Sequence, residues 1–133
     1  MNVETIKEIC RRELAAFPAV QVCILYGSFA HGTAGVHSDI DLGICGQAVL
    51  SPEVVNTITT VLSTALGHET DVLDIKSVSG VILQKILSNG IPLFVKDKSL
   101  YAQQISRMLY NQADMMPYYN RILKERRERF LNG

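Results

Sequence analysis

Two aspartates separated by one residue, Asp39-Ile40-Asp41, open an apolar run that ends at Cys45. On a strand, alternate side chains share a face, so both carboxylates point the same way, roughly 6.5 Å apart. Like charges on one face repel, and a cation between or beside them removes that cost. Hard divalent ions such as Mg²⁺ take carboxylate oxygens together with substrate phosphates. The pair therefore reads as a metal platform. The bland alternative is the solvent-facing half of an edge strand.

Two more segments bear on the same chemistry. Gly27-Ser28 follows an apolar run and is expected to open a short helix. Glycine lets a phosphate approach the backbone, and the free N–H groups of a helix start favour anions. The Ser28 hydroxyl adds a donor. Read alone, the same residues are a plain glycine turn. They form neither a Walker A loop nor GxGxxG, because the required glycines and lysine are absent. A third carboxylate is on offer in Thr70-Asp71-Val72-Leu73-Asp74-Ile75. Strand parity puts Asp71 on one face and Asp74 on the other, and does not choose between them. Three carboxylates are what a two-metal nucleotidyl transfer uses: two bridge the ions, and a third holds the ion that activates the acceptor hydroxyl.

The elements that must position these residues alternate between helix and strand. Val3, Ile6, Ile9, Cys10 and Leu14 fall at helical spacing, and Pro18 stops that helix. Val20 to Tyr26 reads as a buried strand ended by Gly27. The turn and very short helix that follow should close at Gly32 or Gly35, and Asp39 to Cys45 is the second strand. Ser51-Pro52-Glu53 starts a helix with a capping hydroxyl and a first-turn proline, and Gly67 stops it after Leu66. Glu69 to Ile75 is a third strand, Ser79 to Ser88 a helix, and Ile91 to Val95 a short fourth strand. Ser99 is expected to cap a final helix reaching Leu131, broken or kinked at Pro117. The short link from Gly32 to Ser38 favours an antiparallel turn-back between the first two strands. A mixed sheet packed on helices follows, an α/β (α+β) fold.

The bulk numbers fit this picture. A chain of 133 residues, 47% hydrophobic and 20% charged, suits one globular domain. Thirteen basic and thirteen acidic side chains cancel, which argues against direct nucleic-acid binding by net charge. Cys10, Cys23 and Cys45 show no metal or redox spacing and read as buried small hydrophobes in a reducing compartment. The first residues, MNVETIKEICRREL, lack an apolar signal core, and no run is long enough to span a membrane. A cytoplasmic protein is expected.

Gly27-Ser28, ten intervening residues, then Asp39-Ile40-Asp41 resembles the G-S-x₁₀-D-x-D arrangement of the polymerase-β-like nucleotidyltransferase superfamily. The wider stretch LYGSFAHGTAGVHSDIDLGI is especially similar to the minimal nucleotidyltransferase (MNT) proteins. The resemblance spans about residues 1–96 and is motif-grade at 25–44. It implies a small mixed sheet flanked by helices: one nucleotidyltransferase domain over 1–133, with a core of about 1–96 and a C-terminal helical extension of about 98–131. It implies that Gly27 and Ser28 hold the triphosphate, and that Asp39 and Asp41 bind Mg²⁺, two ions being expected. The family's third carboxylate opens a segment like Asp71-Val72-Leu73-Asp74, which selects Asp71 as the third catalytic and metal-binding residue. Many MNT proteins carry arginine where this chain has His31, a shorter side chain that can be neutral at pH 7. His31 is read as a loop residue near the phosphates, and His37 and His68 as ordinary surface or turn residues.

About 35 residues follow the core, too few for the acceptor-binding domain of larger relatives. The resemblance therefore points to an acceptor brought by another protein, as in MNT antitoxins encoded beside HEPN-type RNase toxins. ATP would be the substrate, AMP would pass to a tyrosine of the cognate toxin, and the pair would form a hetero-oligomer. Transfer to a small molecule or an RNA end, and a contact-only antitoxin without turnover, are the competing readings. The tail Lys124-Glu125-Arg126-Arg127-Glu128-Arg129 mixes charges at helical spacing, which suits a solvated face better than RNA binding. Tyr101, Tyr110, Tyr118 and Tyr119 crowd the same region and suit either a protein interface or helix packing.

Overall fold

The computed structural model describes the backbone of residues 1–132 and the side chains of 1–113 with Arg121, Lys124, Glu125 and Arg127. The chain opens with helix α1, Val3–Leu14, whose first turn is held by the Asn2 side chain accepting from the Thr5 N–H at 2.9 Å. Strand β1, Val22–Tyr26, follows, then a single helical turn α2, Ser28–His31, stopped by Gly32. Strand β2 is Ile40–Cys45 and helix α3 is Pro52–Leu66. Ser51 caps α3 by accepting from the Val54 N–H, and Gly67 ends it in the left-handed conformation, as the sequence predicts. Strand β3, Thr70–Asp74, passes into a 3₁₀ turn, Ile75–Ser77. Helix α4, Gly80–Asn89, strand β4, Ile91–Val95, and helix α5, Lys98–Asn132, complete the fold.

The four strands form one sheet in the order β3-β2-β1-β4. β2 pairs antiparallel with β1 and parallel with β3, and β1 pairs antiparallel with β4. The link between β1 and β2 holds a single helical turn and returns antiparallel, whereas the long helix α3 carries the chain across to make β3 parallel. The sheet is mixed, as expected. β2 is an interior strand, so the edge-strand reading of its aspartates does not apply.

Each face of the sheet has its own apolar layer. Leu25, Ile40, Leu42, Ile44 and Val72 pack with Ile6, Cys10 and Leu14 of α1 and Ile58, Leu62 and Leu66 of α3. Val22, Ile24, Tyr26 and Cys45 pack with Ile75, with Leu83 and Ile86 of α4, and with Leu100 and Met108 of α5. Gly43 sits at the centre of the second layer because a Cβ there would stand 3.0 Å from Ile86 and 3.1 Å from Ile75. All three cysteines are buried free thiols. A hydrogen bond with Cys10, and then burial, push the Cys23 thiol well above its usual range, so it stays protonated and behaves as a small hydrophobe.

The last helix departs from its expected form in two ways. Asp97, not Ser99, caps it: its carboxylate accepts from the Leu100 N–H at 3.0 Å and from the Gln47 amide. Those bonds hold the Asp97 carboxyl below the usual carboxylate range. The helix also continues through Pro117 to Asn132, so the loss of one backbone donor does not end it. Arg107 fixes α5 to the segment after β3, donating to the Val78 carbonyl at 2.7 Å and the Ile75 carbonyl at 2.6 Å. Tyr101 is half-buried against the second layer, and Tyr110 is exposed. The side chains of Tyr118, Tyr119, Arg126, Glu128 and Arg129 lie outside the described residues. Lys124, Glu125 and Arg127 are exposed.

Candidate active site

One end of the sheet carries the polar residues, and strand register explains why. Tyr26 of β1 stands opposite Asp41 of β2, and Asp41 stands opposite Asp71 of β3. Residues directly opposite one another on paired strands share a face. Tyr26, Asp41 and Asp71 thus form a row across three strands. The next row on that face, Ile24, Gly43 and Leu73, lies under α4 and the 3₁₀ turn. The row of aspartates is the last one before solvent. Asp41 is half-buried, while Asp71 on the edge strand and Asp39 just before β2 are exposed.

The carboxylates feel one another. Burial raises the Asp41 pKa above the usual carboxylate range, and the charges of Asp71 and Asp39 raise it further; Lys85 opposes them. Tyr26 is pushed above the usual tyrosine range by burial and then by Asp41 and Asp71, so its phenol remains neutral and able to donate. Neither Tyr26 nor Lys85 was singled out from sequence. Tyr26 looked like the last apolar residue of a strand. Lys85 lies on the exposed side of α4 beside Ile86, which packs on Gly43, and helical periodicity alone reads it as a solvated charge.

The glycine turn closes on the same carboxylate. Gly27 has φ 76° and ψ −154°, a region open to almost no other residue. A Cβ at Gly27 would overlap the Asp41 carboxylate, with Asp41 Cγ only 3.3 Å away. Ser28 begins α2 directly after it, half-buried beside the acidic row. The Ala30 and His31 N–H groups turn back to the Gly27 carbonyl, tightening the turn. His31 and His37 are exposed, and His68 meets Phe29 edge to face with ring centroids 5.6 Å apart.

Asp71 and Asp74 part company here. Asp74 is paired with Ile44 in the register and is only 6% exposed. Its carboxylate accepts from the Leu50 N–H at 2.8 Å and the Lys76 N–H at 3.0 Å, so it ties β3 to the approach of α3. Leaving those two backbone donors unpaired is costly. Asp74→Ala is expected to lower stability by about 1–3 kcal/mol, read from a urea unfolding curve, without disturbing the acidic row.

Among the described residues, no three His, Cys, Asp or Glu side chains stand in ligating geometry around one point. Asp39, Asp41 and Asp71 share an edge without closing on each other. Mg²⁺ keeps waters and takes one or two carboxylates together with substrate phosphates, and Asp39 and Asp41 are the carboxylates that would hold it. The donor set is all oxygen, the repulsion on Asp41 calls for a cation, and the missing Cβ of Gly27 lets the Asp41 carboxylate pack against the turn.

Comparison with known proteins agrees with the geometry. The family described as Polymerase beta, Nucleotidyltransferase matches residues 4–99. The protein adenylyltransferase MntA of Shewanella oneidensis is 30% identical over 100 residues, covering 73% of this chain and 72% of its own length. A chain from the crystal structure of a toxin–antitoxin with AMP-PNP superposes with a TM-score of 0.70 at 24% identity, over 92% of this chain and 99% of that one. A chain from the complex of tri-AMPylated Shewanella oneidensis HEPN toxin with MNT antitoxin gives 0.67 at 21% identity, over 90% and 98%. At those identities the two structures speak for the fold. Among the described residues no helix is long and apolar enough to cross a membrane.

Proposed function

This chain belongs to the polymerase β nucleotidyltransferase family, and from that premise we propose that it transfers AMP from ATP to a tyrosine of a HEPN-type partner protein, acting as its antitoxin. The observation that carries this reading is the glycine turn packed against Asp41 in a row with Asp71, beside exposed Asp39. The relatives named above include a protein adenylyltransferase and an antitoxin bound to an AMPylated HEPN toxin.

The roles follow from position. Gly27 admits a phosphate against the backbone, and the Ser28 hydroxyl donates to a phosphate oxygen. Asp39 and Asp41 would hold Mg²⁺, with Asp71 as the third carboxylate. Two such ions, when bound, supply charge neutralisation of the triphosphate and a lowered pKa for the attacking hydroxyl. The phenolic oxygen forms a bond to the α-phosphorus, the bond from that phosphorus to the β-bridging oxygen breaks, and pyrophosphate leaves as the phenol releases its proton. Asp71, at the exposed edge, lies toward the side from which an acceptor on another protein can reach the row. Lys85, the cation that offsets the acidic charge on Asp41, faces the same side of the sheet and is placed to receive negative charge from the phosphates.

The test is transfer of label from [α-³²P]ATP in Mg²⁺ to a co-purified HEPN-type partner. Label on a partner tyrosine is the expected result. An unlabelled partner, with label instead on a small amine or an RNA end, would replace this acceptor with another.

A further inference from the structure

The corner of the sheet diagonal to the acidic row carries the opposite charge. Tyr26 ends β1 in that row, whereas Val22 begins β1 and pairs with Val95 of the edge strand β4. There α1 and β4 flank a cleft of ≈ 460 Å³. Lys7, Arg11 and Ala15 line it from α1, and Leu93, Phe94 and Lys96 from the end of β4. The three α1 residues fall four apart, one row over from Ile6, Cys10 and Leu14, which pack in the core. Burying the core row therefore fixes both cations beside β4. No Asp or Glu lines the cleft. The ion pair on α1 joins Arg12 to Glu13, and among the described residues Lys7, Arg11 and Lys96 pair with no carboxylate. Asp97, next to Lys96, is spent on the Leu100 N–H and the Gln47 amide. Like charges four apart cost a helix about 0.2–0.5 kcal/mol. The negative C-terminal end of α1 offsets Arg11, but not half-buried Lys7 or the strand-end Lys96. The Lys96 ammonium stands 5.3 Å from the centre of the half-buried Phe94 ring, which restrains it at the cleft.

We infer that this cleft is a second anion site, which binds a chain of phosphates without a metal ion. Arginine presents a planar fork that takes two phosphate oxygens, and the Lys7 and Lys96 ammoniums act as point charges. Three cations in one cleft match the charge of a triphosphate. Ala15, Leu93 and Phe94 add an apolar floor, which a nucleoside uses and inorganic phosphate does not. The volume lies in the range of small-molecule sites. The two ends of the sheet thus treat phosphates in opposite ways. At the acidic row the protein is negative, and phosphates need Mg²⁺ to approach it. At the α1–β4 cleft the protein itself supplies the positive charge. This site stands whether or not the transfer reading does.

Titration calorimetry at low salt, in EDTA, tests this with ATP and with inorganic tripolyphosphate. The wild-type protein is expected to bind both with no divalent ion present. ATP binding the tighter of the two would place a nucleoside on the Phe94 floor, and equal binding would make the phosphates alone the ligand; both support the site. Joint Lys7→Gln and Arg11→Gln substitution should weaken binding on the order of tenfold or more, and Lys96→Gln by less. Arg12→Gln, on the same helix but outside the cleft, should leave it unchanged. So should joint Asp39→Asn and Asp41→Asn substitution. Absence of binding in EDTA overturns the inference, as does binding that survives loss of Lys7 and Arg11. An equal loss in Arg12→Gln also overturns it, because the attraction would then be diffuse charge. A loss in the Asp39 and Asp41 variant overturns it too, by moving the ligand to the acidic row.

Discussion

Replacing Asp41 by asparagine is expected to cut AMP transfer by about 10³-fold or more, while making the metal-free protein harder to unfold. The two effects have one cause. Asp41 is the half-buried member of the acidic row, and burial together with Asp71 and Asp39 disfavours its charge. That charge is useful when a cation and a triphosphate are present and costly when they are absent. Asparagine keeps the shape, removes the repulsion and leaves a neutral oxygen that holds Mg²⁺ poorly. The pH dependence has a definite sign. A carboxyl whose folded pKa is raised binds more protons folded than unfolded, so its contribution to stability grows as pH falls through the folded pKa. At neutral pH the wild-type protein carries the full cost, and the cost is gone below about pH 4. Urea midpoints of wild type and Asp41→Asn should therefore differ at pH 7 and converge on acidification. A variant less stable than wild type at pH 7 would show that the carboxylate is held by a favourable partner. If Asp39→Ala and Asp41→Ala both still neutralise the toxin fully in cells, the protein acts by contact and turnover is dispensable.

The second large effect is expected at Gly27. Gly27→Ala should lower stability by about 1–3 kcal/mol for its backbone conformation alone. It should also lower transfer on the order of 10²-fold, because the new methyl occupies the space of the Asp41 carboxylate. Gly80→Ala separates the two causes. Gly80 also has positive φ, 66°, but an added Cβ there meets nothing within 4 Å, and it lies at the start of α4 away from the glycine turn. It should cost about 1–2 kcal/mol in stability and leave transfer per folded molecule intact. Transfer by Gly27→Ala at the wild-type rate, measured at a temperature where both are folded, would mean that the close approach of turn and carboxylate has no part in the reaction.

Much of this site could be read along the chain because its signals are local. The alternation in Asp39-Ile40-Asp41 puts one residue in the core and two outside it. Ser51-Pro52 and Gly67 mark the ends of α3 by backbone chemistry that needs no partner. The short link from Gly32 to Ser38 favours an antiparallel return, and Gly27-Ser28 announces a turn into a helix. The final helix was harder to read. Ser99 and Asp97 are both good caps, and the choice went to the residue that also receives the Gln47 amide from a distant loop.

Sequence by itself determined the alternating elements, the glycine turn and the D-x-D strand, since each depends on neighbours within a few residues. Strand parity left Asp71 and Asp74 open and only the resemblance chose Asp71; the tertiary structure puts Asp71 opposite Asp41 and uses up Asp74 on the Leu50 and Lys76 N–H groups. It also brought Tyr26 and Lys85 to the acidic row and opened the cleft between α1 and β4. Strand parity fixes which residues lie together, but not which face they turn toward a neighbour. That depends on the register between β2 and β3, set by how a fifteen-residue helix between them packs onto the sheet.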